Sequence, residues 1–190
     1  MSSPDPSELL RALFEAPRAG EDNAGAGLHA IVAQRARERQ MAVLDLGVQP
    51  HEEAASLCRV LAAIALQGVR HGRAAVPTLI LSSGEVRWEG RPAGAAQFLL
   101  ALAAALDAHA AIYGLAAQGP WPAQGGGGSE APAAFFFGPD TLARSQQMGM
   151  IPLRALASGQ AAALFERLQS RMPFAWDVGG TTVVRGLLLA

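Results

Sequence analysis

The chain has 190 residues and a formal net charge of −1, with 51% hydrophobic and 16% charged residues, a composition that buries a core without disulfide or metal. All fifteen basic residues are arginine, which excludes a phosphate-cradling, Schiff-base or general-base lysine, and the near-neutral charge argues against a nucleic-acid binder, which requires a basic surface. The single cysteine, Cys58, excludes an internal disulfide, a CxxC redox pair and a multi-cysteine zinc site.

The N-terminal stretch MSSPDPSELLRALFEAPR is acidic at first and has no apolar core of the signal-peptide type. Within it, Leu9, Leu10, Leu13 and Phe14 share one helical face, so residues 7–16 are expected to form a short amphipathic helix. Residues 20–27 (GEDNAGAG) read as a breaker-rich linker. A second helix over 25–39 turns Leu28, Ile31 and Val32 inward. Met41 to Leu46 is a strand. His51 to Val69 carries the helical stripe Leu57, Val60, Leu61, Ile64 and Gly68, with Glu52 and Glu53 placed in its first turn. Thr78 to Leu81 is a buried strand, Ser82 to Gly84 a turn, and Glu85 to Trp88 a short antiparallel strand. Phe98 to Ala110 is a helix apolar nearly all round. Asp107 and His109 interrupt it, so no membrane span is expected and a cytoplasmic location follows by default. Ile112 to Ala117 and Ala134 to Phe137 are strands flanking the low-complexity loop 121–132. Helices are expected over Thr141–Gln147 and Gly159–Arg171, then a final strand over Thr181–Leu189. Strands alternating with helices imply a layered α/β/α fold with a mixed, largely parallel sheet.

Few residues combine into a chemistry. The histidines His29, His51, His71 and His109 are scattered, and His51-Glu52 departs from a zinc-binding HExxH at Ala55, so no metal site is expected. There is no GxSxG elbow. Gly125 to Gly128 is followed by Ser129-Glu130, not by Lys-Ser/Thr, and reads as a flexible linker. Cys58 lies on an apolar helical stretch and reads as a small buried residue. Glu85 stands at a strand end, where open α/β sheets collect ligands.

Leu81-Ser82-Ser83-Gly84-Glu85 resembles the L-S-G-G-E segment of the MOFRL domain, the C-terminal domain of bacterial glycerate 2-kinases, some of them called hydroxypyruvate reductases. Phe98 to Asp107 resembles that family's long apolar helix, and Gly180-Thr181-Thr182-Val183 its closing G-T-N-V. Thr141 to Arg144 and Leu164 to Leu168 fit as well. The order and spacing of the segments, over residues 23–190, carry the resemblance. It implies an N-terminal helix and linker over 1–22 followed by a MOFRL-like domain over 23–190. Residues 7–16 resemble the helix that opens the full enzymes, which implies that both family ends pack together here without the large Rossmann-like domain between them.

The family's polar motif residues are largely replaced. Gly94, Ala95, Ala96 and Gln97 stand for R-N-Q-E, Gln118, Pro120 and Ala123 for an acidic loop, Gly159, Gln160 and Ala161 for N-D-S, and Thr182 and Arg185 for Asn and Asp. Without those carboxylates Mg²⁺ loses its usual ligands. The resemblance thus implies a non-catalytic relative with no cofactor and no catalytic residue, binding a partner chain, a second copy or a small anionic metabolite. Its ligand residues would be Glu85, Ser82, Ser83, Gly84, Thr181 and Thr182. The alternative is a glycerate kinase using ATP and Mg²⁺ and completed by a separate subunit.

Overall fold

The computed structural model describes residues 5–15, 27–49, 52–71, 76–119, 121–122, 129–130, 132–174 and 182–190. The expected linker at 20–26, the Gly125–Gly128 loop, His51 and Thr181 lie outside them.

Helix α1 (Pro6–Leu13) begins where sequence rules place it. Pro6 sits at its start and the Asp5 carboxylate accepts from the Ser7 amide at 2.9 Å. Then come α2 (Gly27–Glu38), β1 (Ala42–Val48), β2 (Glu52–Glu53) and α3 (Ala54–Arg70). Glu52 and Glu53 are therefore extended residues ahead of the helix, not its first turn. Strand β3 (Thr78–Gly84) contains the expected turn Ser82 to Gly84 as its last three residues. Strands β4 (Val86–Trp88) and β5 (Arg91–Pro92) pair antiparallel and, with β2, form a separate small sheet. Next are α4 (Ala95–Ala105), β6 (Ile112–Gln118), a β7 (Trp121–Pro122) and β8 (Ser129–Glu130) ribbon, and β9 (Ala133–Phe137). The chain continues through α5 (Thr141–Gln147), α6 (Pro152–Ala157), α7 (Ala161–Arg167), β10 (Arg171–Pro173) and β11 (Val183–Leu189).

The main sheet runs β1-β3-β11-β6-β9-β10. It is mixed, within a layered α/β/α fold, but the balance differs from expectation. Only β1 and β3 pair in parallel, and the other four pairings are antiparallel. Two of the four come from β11, which runs antiparallel between the mutually parallel β3 and β6, and the other two from β9, which runs opposite to both β6 and β10.

Side chains alternate across β11. Val183, Leu187 and Leu189 join a core under α3, α4, α6 and α7, whereas Val184 and Leu188 join a core under α1 and α2. Helix α4 is the centre of the larger core: it packs on α3, α6, α7, β6 and β9, and Phe98 to Leu100 and Leu102 are fully buried. An uncharged helix loses no ionic solvation in such a place. On the other face α1 packs on β6 and β11, with the Phe14 ring close above Gly186. Arg35, buried in α2, donates to the carbonyls of Leu13 and Glu15 at 3.1 and 2.9 Å and so serves the open end of α1. No described helix is long and apolar enough to cross a membrane.

Candidate functional site

The carboxyl ends of β1, β3 and β6 and the amino end of β11 share one edge of the sheet, because Val48 pairs near Ser83, and Val183 pairs with both Gly84 and Gln118. Helices α3 and α4 also begin there: Glu52 N–H donates to the Glu85 carbonyl at 3.2 Å, and Ala95 N–H donates to Gln118 Oε1 at 2.6 Å. The Gln118 amide thus substitutes for a capping side chain at α4, whose own N-cap, Gly94, has none. No side chain caps the start of α3; Glu53 instead accepts from the Glu89 amide at 3.2 Å.

The residues expected to bind a ligand are spread over this edge. Gly84 has φ +135°, and Gln49 N–H donates to the Ser83 carbonyl at 2.7 Å, so the chain returns tightly across the strand end. Strand pairing sends Ser82 and Ser83 to opposite faces. Ser82 shares its face with Ile80 of the larger core, and Ser83 its face with Leu79 and Leu81 of the smaller. One pocket therefore cannot use both hydroxyls. Thr182 stands one step beyond the Val183–Gly84 pair, on the side of Glu85. Glu85 is half-buried at the mouth between the two sheets.

The residue that sequence reading left without a role is Arg185. It lies on β11 opposite Ser82 and Ala116, and is 2% exposed. Its guanidinium sits 5.2 Å above the Phe98 ring, and Nε, Nη1 and Nη2 all lack a hydrogen-bond partner among the described residues. Arg35, equally buried, is satisfied by two carbonyls; Arg185 is not. Burial pulls its pKa down to about 10, with Cys58 and Glu52 acting the other way, so it remains a cation at neutral pH. Burial likewise pushes the Cys58 thiol up to about 12, with Arg185 opposing. Cys58 Sγ donates to the Phe98 carbonyl at 3.6 Å, as a buried structural thiol does. The signal for Arg185 was present in the sequence: it is the lone charge in TTVVRGLLL, on the same alternation as Val183, Leu187 and Leu189.

Among the described residues no group of three His, Cys, Asp or Glu side chains is placed to hold a metal ion. The edge offers amides, one buried carboxamide, hydroxyls, Glu52 and Glu85, and a buried cation.

Two solved structures share the fold. One is a glycerate kinase from Thermotoga maritima, 15% identical, with a TM-score of 0.68 over 86% of this chain and 40% of that one. The other is a protein from Pyrococcus horikoshii, 9% identical, with a TM-score of 0.67 over 86% of this chain and 38% of that one. This chain therefore spans less than half the length of either. No family model matches it, and no curated protein matches it significantly.

Proposed function

We propose that the chain is a degenerate relative of the MOFRL domain of glycerate 2-kinases, which does not transfer phosphate with its own residues and binds a small anionic metabolite or a partner chain at the β3–β11 edge. The glycerate kinase-like fold supports the kinship. What carries the functional reading is Arg185. Phosphoryl transfer needs carboxylates that hold Mg²⁺ against the phosphate oxygens. The family resemblance puts an Asp where Arg185 stands, and a buried guanidinium there repels a divalent cation and attracts an anion. In this reading no cofactor takes part and residues 23–190 form the binding domain. Glu85 and Thr182 flank the entrance, and Ser82 faces inward beside Arg185.

The test is an assay with glycerate, ATP and Mg²⁺. The expected result is no phosphorylation above background. Turnover that scales with the protein and stops on chelation would refute the reading. A second reading has one observation in its favour: the match covers most of this chain but only 40% of the glycerate kinase. It is a glycerate kinase using ATP and Mg²⁺ whose remaining parts come from a separate subunit. Activity that appears only when such a subunit is added would select it.

A further inference from the structure

The geometry points to a docking surface on helices α5 to α7 for an acidic segment of a partner protein, one that seats a large apolar side chain between flanking carboxylates. This surface shares no residue with the β3–β11 edge and stands whatever that edge binds.

Three observations converge. First, a cavity of about 310 Å³ opens between the α5–α6 connection, α6 and α7. Met150, Ala155 and Leu164 give it an apolar lining, and Arg154, Gln160 and Arg167 stand at its exposed rim. A cavity of about 150 Å³ holds a benzene ring, so this one has room for one or two side chains of leucine or phenylalanine size.

Second, the charge on this stretch is one-sided. Residues 138–174 carry four arginines and two carboxylates, in a chain whose net charge is −1. Both carboxylates are engaged: Asp140 pairs with Arg144 at 3.4 Å, and Glu166 pairs with Arg171. Arg154 and Arg167 have no ion pair and no side-chain hydrogen bond among the described residues. Among those residues no carboxylate lines the cavity. An anchor pocket flanked by two such cations is complementary to an apolar residue flanked by two anions.

Third, the apolar surface runs past the cavity. Seven large apolar side chains are exposed among the described residues, and three of them, Met148, Ile151 and Leu153, lie in the six residues around the α5–α6 connection. Leu153, 69% exposed, and Met148 are outside the cavity lining. A small ligand filling the cavity leaves both in water, whereas a peptide segment laid across α6 covers them.

Fluorescence anisotropy of a labelled peptide titrated with the full chain tests this. The probe is Gly-Ser-Glu-Glu-Leu-Phe-Glu-Glu-amide with fluorescein at its amino end. It is compared with a peptide carrying Gln for every Glu and another carrying Ala for Leu and Phe. The expected result is saturable binding of the probe, with the Gln peptide roughly 2–30-fold weaker and the Ala peptide roughly 10–100-fold weaker. No saturable binding overturns the surface. Equal binding of the Gln peptide overturns the role of the two arginines, and equal binding of the Ala peptide overturns the anchor cavity. Arg154→Glu combined with Arg167→Glu should weaken the probe roughly tenfold or more. A peptide with Lys for every Glu should bind that variant better than it binds the wild type. Unchanged binding of the probe overturns the location. If the double variant does not fold, Ala163→Glu replaces it with the same expectation, because it sets a carboxylate at an exposed position of the lining. Displacement of the probe by equimolar succinate would assign the cavity to a small dicarboxylate and overturn the docking segment. A dimer of the chain alone, seen by sedimentation and dissociated by the same substitutions, would assign the surface to a second copy and overturn a separate partner.

Discussion

Replacing Gly84 with alanine tests how the candidate edge is built. Gly84 holds φ +135°, a conformation that side chains disfavour, and a Cβ there would overlap the Gln49 carbonyl oxygen and come within 2.8 Å of its carbon. The obstruction is backbone, held by the Gln49 N–H bond to the Ser83 carbonyl at 2.7 Å, so it cannot swing aside as a side chain would. Left-handed strain of about 1–2 kcal/mol and an overpacking cost of about 1–3 kcal/mol together give roughly 2–5 kcal/mol. That is a large share of the 5–15 kcal/mol typical of a whole domain. For a chain of this size it corresponds to a melting temperature lower by roughly 5–15 °C. Urea titration with circular dichroism should show the midpoint falling with the slope unchanged. A Gly84→Ala protein melting within 1 °C of the wild type would refute the claim that this crossing is rigid and closely packed.

Other perturbations reach different parts of the structure. Leu102→Asp should abolish cooperative unfolding, since Leu102 is 1% exposed in the centre of the larger core and an unpaired buried charge costs more than about 4 kcal/mol. Val60→Asp, at a residue 55% exposed on α3, should melt nearly as the wild type does. Cys58 should resist thiol reagents at pH 8 in the folded protein and react on unfolding, because burial raises its pKa to about 12. Its raised folded value also means that its contribution to stability is complete below about pH 9 and declines as the pH rises toward 12. Asp45 has the opposite sign. Burial raises its pKa, but the Gly47 amide and His29, at 2.8 and 2.7 Å, outweigh it and hold the carboxyl below its ordinary value. Its contribution is therefore present above about pH 4 and lost below it, and is less than about 1 kcal/mol for a group this exposed. Asp45→Asn should flatten that acid limb slightly in a melting series from pH 6 to 3, and an unchanged limb would discount the pair.

Local periodicity made the longer elements legible. Helix α5 has the bounds its sequence predicts, α4 and β11 differ by a few residues at their ends, and the buried face of α1 is Leu10 and Leu13 as the stripe required. What failed was non-local. Ser82-Ser83-Gly84 has turn composition, yet pairing with Val183 to Arg185 holds it extended. Helix α6 is only six residues opened by Pro152, too short to show a period. Strand direction depends on where β11 inserts, which no local window contains. The edge at Glu85 is proposed from strand-end logic and from family likeness. Arg185 was passed over because a charge in an apolar strand means little until its lack of partners is seen.

The place of β11 also sets an order of events in folding. It is the last strand in chain order, yet it is the seam between β1-β3 and β6-β9-β10. Until Val183 to Leu189 is available, those two groups of strands have no mutual hydrogen bonds. Each would leave an unpaired edge of apolar residues, Leu79 to Leu81 on one side and Ile112 to Ala117 on the other. A chain emerging from the ribosome would carry both edges unpaired from the completion of β6 until β11 follows it. Closure of so distant a pairing is slow, and until it is complete those edges are the part of the chain open to pairing with another.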